Sequence, residues 1–313
     1  MKKKMSDGRE TLRLGTRGSV LAVCQTEWVA AELCRLSPGL SVELVRIRTS
    51  GDRIQGSPLA EIGGKGLFVK EIEEALRDGR IDAGVHSMKD LPVNLAPGLA
   101  MVAGPPREDA RDALVARTSG GLRGLARGAR VGTGSLRRRA FLRNARPDLE
   151  VVAMRGNVDT RLRKWRAGEI DALILARAGL RRLELEIAEA HDLSTEEMLP
   201  AIGQGALAVE AQPESRWRDL LARLDDRQAA AATAAERAFL AAMGGDCTTP
   251  VAALATVDRA ALCLAAAVGD PQGLRLVRGA RSGDADEAAA VGIALAEELL
   301  ARGGREILQE LRR

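Results

Sequence analysis

Tyrosine is absent from this chain of 313 residues, and there are only three tryptophans, three phenylalanines, two histidines and four cysteines. So few aromatic faces leave little on which nucleobases could stack, so no nucleic-acid partner is expected. The cysteines, Cys24, Cys34, Cys247 and Cys263, are scattered without a C-x-x-C pair, which argues against a disulfide framework or a zinc knuckle. His86 stands without a second histidine or clustered cysteine nearby, and no metal site is expected. No apolar run of about eighteen residues occurs, and the start MKKKMSDGRETLRL has no apolar core. Neither a membrane span nor a secretory signal is therefore expected, and the cytoplasm is the expected compartment.

What the chain does have is arginine. Lys and Arg number 47 against 43 Asp and Glu, but the excess is uneven, with a dense run of cations from Arg123 to Arg166. Such a concentration implies an anionic partner, and a small polyanion suits it as well as a nucleic acid does. A 46% hydrophobic and 29% charged composition belongs to a globular chain. Its length calls for two or three domains.

The first third reads as short β runs alternating with helices: TLRL at 11–14, a helix over about 19–36, VELVRIR at 42–48, a helix over about 66–78 and IDAGVHS at 81–87. This βαβαβ order implies a mostly parallel sheet. Val20, Cys24, Trp28 and Ala31 recur at helical spacing, so Cys24 is expected in the core. After PPREDAR at 105–111 the pattern restarts with ARVGTGS, a helix near 135–145, LEVVAM, a helix near 157–167 and DALILA. From about 228 the composition turns to Ala-rich helix, a GGDCTTP loop, two apolar runs and a final helix near 284–303. Cys263, within ALCLAAAV, is expected to be a buried strand residue. The expected division is 9–105 with 206–223 as a first α/β unit, 111–199 as a second, and 228–313 as a third, α+β unit. Two α/β units meeting at a cleft bind ligands beyond the carboxyl ends of their strands.

Three βα turns carry the basic side chains. TRGS offers Arg17 and Ser19, GTGSLRRR offers Ser135, Arg137 and Arg138, and RGNVDTR offers Arg155 and Arg161. Helix starts attract anions and guanidinium forks match carboxylates in two-point geometry, so three such turns together predict a polycarboxylate or phosphate site. GGKGLF at 63–68 is not a phosphate loop, because Lys65 is followed by Gly66 rather than Ser or Thr. It reads as a turn before a helix, or as a mobile lid bearing Lys65. HSMKD at 86–90 ends the third strand, and Asp90 is the leading candidate for a chemical role, with a helix cap or ion pair as the bland alternative. Cys247, between glycines and a proline, is the one cysteine whose context predicts exposure, as a nucleophile or an attachment point.

Taken in order, TRGSVLAVCQ, GGKGLFVKEIEEAL, VHSMKDLPV, GTGSLRRR, RGNVDTRL, AGLRRL, LPAIGQGALAVE and the glycine–cysteine loop resemble the porphobilinogen deaminases over nearly the whole chain. The resemblance implies an α/β fold of two periplasmic-binding-protein-like domains with mixed, mostly parallel sheets, plus a small C-terminal α+β domain. It implies a transferase of tetrapyrrole biosynthesis that joins four porphobilinogen molecules head to tail with loss of ammonia and then releases hydroxymethylbilane by hydrolysis. By motif matching, a dipyrromethane cofactor would be attached through Cys247, Asp90 would be the catalytic carboxylate, and Ser87, Lys89, Asp90, Thr133, Ser135, Arg137, Arg138 and Arg161 would hold the cofactor. Arg17, Ser19, Arg155 and Arg161 would hold substrate, while Lys65 and Phe68 would belong to the lid. The implied partners are porphobilinogen and the growing polypyrrole chain, on a monomer. Two departures stand out: Asp246 occupies a position where a second glycine is common, and Glu61 one where a lysine is common. A non-catalytic bilobed anion-binding protein is the principal alternative, and it would need neither Cys247 nor Asp90.

Overall fold

The computed structural model describes residues 11–53, 68–246 and 249–311. Strands β1 (Thr11–Arg17), β2 (Ser41–Ile47), β3 (Ala83–Ser87) and β4 (Ala100–Ala103) come first. They are followed by β5 (Asp112–Ala116), β6 (Arg130–Gly132), β7 (Glu150–Val152), β8 (Ala172–Ala176) and β9 (Ala190–Asp192). Then come β10 (Leu207–Ala211), β11 (Val251–Asp258), β12 (Ala261–Gly269) and β13 (Leu276–Asp284). Two five-stranded sheets form, in the orders β2-β1-β3-β10-β4 and β7-β6-β8-β5-β9, beside a three-stranded sheet β11-β12-β13.

The two larger sheets share one plan. β1 is parallel to β2 and β3, while β10 enters antiparallel between β3 and β4. In the second sheet β6 is parallel to β7 and β8, and β5 enters antiparallel between β8 and β9. Each sheet is thus mixed and mostly parallel, with one inserted strand running against the rest. Because β5 and β10 both follow long connections, the chain passes from the first sheet to the second and back again. Gly205 makes the return crossing possible: its φ is 85°, and a Cβ there would lie 2.3 Å from the Glu108 carbonyl oxygen, so the two connecting segments touch backbone to backbone.

Alternating side chains set the cores. Leu12 and Leu14 of β1 pack with Val29 and Leu33 of the helix Val20–Leu36 on one face of the first sheet, and Ile72 and Leu76 of the helix Lys70–Arg77 cover the other. The C-terminal sheet buries one face on the helices Arg227–Ala242 and Ala288–Leu299 through Phe239, Leu264 and Leu295. The end of its opposite face packs through Ala267 against Phe141 of the helix Leu136–Ala145. Each large side chain so buried is worth roughly 1.5–3 kcal/mol relative to exposure.

Two cysteine expectations are corrected. The helix Val20–Leu36 carries two apolar stripes, and the one against the sheet is Val29, Ala30 and Leu33, continued by Gln25 and Thr26. Val20 and Trp28 are exposed, and Cys24, only partly buried, donates its thiol hydrogen to the carbonyl oxygen of Arg182 at 2.8 Å. Cys263 is exposed because the outer face of β12 is covered only from Ala265 onward, while Leu262 and Leu264 point into the core. The final helix ends at Leu299 and, after a kink where Gly303 has a φ of 106°, resumes over Arg305–Glu310.

Gly292 is where the helices Arg227–Ala242 and Ala288–Leu299 cross most closely: a Cβ there would lie 2.2 Å from the Ala235 carbonyl oxygen and 2.9 Å from the Phe239 nitrogen. Alanine would gain about 0.8–1.0 kcal/mol in helix propensity, but forcing backbone apart costs about 1–3 kcal/mol. Gly292→Ala should therefore lower stability in a denaturant titration, whereas Cys263→Ser, at an exposed position, should stay within about 0.5 kcal/mol of the starting protein. A stabilised Gly292→Ala protein would show that the helices cross less tightly than described.

Candidate functional site

Two adjoining clefts open beyond the end of β3, and the 3-10 turn Met88–Asp90 divides them. The first, about 410 Å³, is lined by Arg17, Ser19, Gln25, Phe68, Ser87 and Asp90. The second, about 530 Å³, is lined by Lys89, Ser135, Arg137, Arg237, Asp246 and Thr249. Consecutive residues of one turn thus contribute a carboxylate to one cleft and an ammonium to the other.

In the first cleft, Ser19 caps the helix Val20–Leu36, accepting from the Ala22 N–H at 3.3 Å. The Arg17 guanidinium carbon stacks 3.9 Å from the centroid of the Phe68 ring, a cation–π contact. Ser87 donates to the Gln25 side-chain oxygen at 3.0 Å. Asp90 is partly buried and accepts no hydrogen bond from the described residues. Among the described residues it caps no helix and forms no close ion pair.

Beside the second cleft, Thr133 accepts from the Ser135 N–H at 3.2 Å, and Ser135, which lines it, caps the helix Leu136–Ala145 by accepting from the Arg138 N–H at 3.4 Å. Arg137 and Arg138 are buried and both bind the carboxylate of Asp112, at 2.7 and 2.8 Å. Burial alone would raise the Asp112 carboxyl, but the two arginines outweigh it and hold it at about 2. Lys89 goes the other way: burial pushes its ammonium down to about 8, Arg138 and Arg137 adding to that and Asp90 opposing it. Arg161 is pushed down to about 10, first by burial and then by Arg138, against the pull of Asp90. Its Nε donates to the Gly156 carbonyl oxygen at 2.7 Å. Among the described residues Arg155 Nη2, a buried atom, has no hydrogen-bond partner, and neither has Arg137 Nε.

The structure therefore gathers Arg17, Ser19, Phe68, Ser87 and Asp90 in one cleft, and Lys89, Ser135 and Arg137 in the next, with Arg138 on the Asp112 carboxylate that Arg137 also binds. Asp90 and Arg138 act on both Lys89 and Arg161, and Arg155 acts on Arg161. Cys247, Lys65 and Glu61 lie outside the described residues. Asp246 and Thr249, on either side of the cysteine in sequence, are joined by hydrogen bonds from the Asp246 N–H to Thr249 Oγ1 at 2.9 Å and from the Thr249 N–H to the Asp246 carbonyl at 3.0 Å.

Sequence reading passed over Gln25 and Asp112. Gln25 interrupts an otherwise apolar stripe with Val29 and Leu33 at intervals of four, and a polar residue on a buried face was the available signal. Asp112 likewise opens the wholly buried strand DALVA. Among the described residues no group of three or more His, Cys, Asp or Glu side chains could hold a metal ion, and no helix is long and apolar enough to cross a membrane.

Residues 12–218 match a family model described as porphobilinogen deaminase, dipyromethane cofactor binding domain, and residues 230–301 match porphobilinogen deaminase, C-terminal domain. A porphobilinogen deaminase of Syntrophotalea carbinolica is 52% identical over 301 residues, spanning 96% of each chain. One of Roseiflexus castenholzii is 52% identical over 301 residues, spanning 96% of this chain and 99% of its own. With two family models covering most of its length and relatives of this identity along nearly all of it, the chain belongs to the porphobilinogen deaminase family.

Proposed function

We propose that this chain joins four porphobilinogen molecules head to tail, losing ammonia at each step, and releases the linear tetrapyrrole hydroxymethylbilane by adding water. The observation that carries the reading is Asp90: a carboxylate that accepts no hydrogen bond from the described residues, beside a lysine and several arginines, on the turn between two clefts. We further propose a division of the chain into 9–105 with 206–223, 111–199 and 228–313, cytoplasmic location and a monomeric state.

The residues present fit a dipyrromethane, which bears several carboxylates. Lys89, Arg137, Arg138, Arg155 and Arg161 outnumber the carboxylates Asp90 and Asp112, and two of these arginines keep buried N–H groups without hydrogen-bond partners among the described residues. Lys89, Ser135, Arg137 and Arg138 would hold the cofactor with Ser87, Thr133 and Arg161, and Cys247 would carry it as a thioether. When bound, the cofactor supplies the pyrrole α-carbon to which the first unit is joined.

The chain's own groups do the rest. Arg17, Ser19, Arg155 and Arg161 hold the acetate and propionate groups of incoming porphobilinogen, the guanidinium forks fixing direction as well as charge. As the bond to the aminomethyl nitrogen breaks, its electron pair leaves with ammonia and positive charge spreads over the pyrrole. Asp90 accepts the ring N–H and stabilises that charge, a preorganised electrostatic role. The same carboxylate takes up the proton that leaves the attacked α-carbon. Lys65 and Phe68 form the lid.

Three outcomes follow from these assignments. Purified protein should be heavier than its sequence by one dipyrromethane, and Cys247→Ala should lose both the adduct and the activity; an adduct retained in the mutant would move the attachment elsewhere. Asp90→Asn should fold and carry cofactor, yet turn over about 10²–10³-fold more slowly, about 2.7–4 kcal/mol of barrier. Normal turnover in that folded, loaded mutant would exclude the charge role. Finally, Lys89 carries its positive charge below about pH 8 and loses it above. Turnover should thus fall as pH passes from 7.5 to 9.5, as Lys89 loses its hold on the cofactor carboxylates, and Lys89→Arg, which stays charged, should flatten that fall. Parallel pH profiles for the two proteins would remove Lys89 from carboxylate binding.

A further inference from the structure

We infer that Asp112 is a positioning residue for this site: its buried carboxylate holds one edge of the Arg137 and Arg138 guanidinium groups, so that their remaining N–H groups meet the carboxylates of a bound pyrrole chain. The inference rests on the assignment of those two arginines to carboxylate binding.

Asp112 is the first residue of β5, directly after the crossing from the first sheet, and is fully buried. Its Oδ2 accepts from Arg137 Nη2 at 2.7 Å. Its Oδ1 accepts from Arg138 Nη2 at 2.8 Å, from Arg138 Nε at 3.2 Å and from Gln204 Nε2 at 2.9 Å. Two carbonyls complete the seating: Leu199 accepts from Arg137 Nη1 at 2.6 Å, and Ile174 accepts from Arg138 Nη1 at 2.8 Å. A guanidinium offers five N–H groups in one plane. Neither fork is exhausted by these contacts, and Arg137 Nε is buried with no hydrogen-bond partner among the described residues.

The charges around Asp112 leave a positive excess for a ligand to meet. One carboxylate faces two permanently charged guanidinium groups, with Lys89 close enough that all three act on its proton affinity. Unpaired buried charge is expensive. Here a positive surplus is left beside a cleft that Arg137 and Lys89 both line. Asp112 fixes where that surplus points, and a ligand carboxylate completes the neutralisation. Gln204, which donates also to the Ala110 carbonyl at 2.7 Å, holds the carboxylate from behind.

The test is Asp112→Asn, which keeps the shape and removes the charge, made in the full chain and compared with wild type by intact mass, thermal melt and steady-state kinetics. The expected result is a folded protein whose cofactor-loaded fraction falls to about half or less, and whose loaded molecules show a KM raised about tenfold with kcat within about threefold. A merely structural defect would lower the active fraction and leave KM unchanged. A folded, fully loaded Asp112→Asn protein with the wild-type KM would overturn the inference. Should Asp112→Asn not fold, Gln204→Met keeps the charge but releases the carboxylate from one donor; a smaller rise in KM supports the inference and an unchanged KM overturns it. Wild-type protein with neither adduct nor turnover would instead defeat the functional reading.

Discussion

Two buried carboxylates hold together the segments by which the chain crosses between its sheets. Asp112 takes Arg137, Arg138 and Gln204. Glu236, on the helix Arg227–Ala242, takes two nitrogens of Arg107 at 2.5 and 3.2 Å and the backbone N–H groups of Gly203 and Ala255 at 2.7 and 2.8 Å. Arg107 in turn donates to the Gln204 carbonyl at 2.9 Å. The outgoing crossing, the return crossing, the C-terminal sheet and the arginine-bearing helix of the second sheet therefore meet through two side chains. Such pairs are weak contributors to net stability, because desolvation offsets attraction, yet removing one partner costs about 3–5 kcal/mol. Their effect is to admit one arrangement of the parts and exclude others.

That arrangement explains why a single turn, Met88–Asp90, can serve two clefts. β10 lies beside β3, with the Met88 N–H donating to the Ala206 carbonyl at 3.0 Å, so the return crossing forms the floor beneath the turn. Lys89 then faces the arginines of the second sheet while Asp90 shares a cleft with Arg17. The burial that lowers the proton affinity of Lys89 and Arg161 is the same burial that strengthens their hold on a carboxylate in a water-poor site.

Much of the fold was legible in the sequence because period and punctuation agreed. The helix after TRGS and the strand ending in HS fall where alternation and capping put them. β13 escaped notice, since LVRGARSGD is largely exposed and shows no apolar alternation. Cys24 and Cys263 were misjudged for a common reason: periodicity finds an apolar face but does not say which neighbour covers it. At the site, the three βα turns and the strand-end Asp90 could be read from spacing, and the family resemblance added roles to them. Gln25, Asp112 and Glu236 could not, because their meaning depends on partners 62, 25 and 129 residues away. A buried polar residue announces itself in sequence only as an oddity in an apolar stripe.

The proposed chemistry joins pyrroles by expelling ammonia in an arginine-lined cleft, at a carboxylate that accepts no hydrogen bond from the described residues. The most direct measurement follows ammonia and hydroxymethylbilane together while the purified chain consumes porphobilinogen. One ammonia per porphobilinogen, with the linear tetrapyrrole as the released product, is the result expected. Binding of porphobilinogen without ammonia release would contradict the account and return the chain to the class of non-catalytic anion-binding proteins.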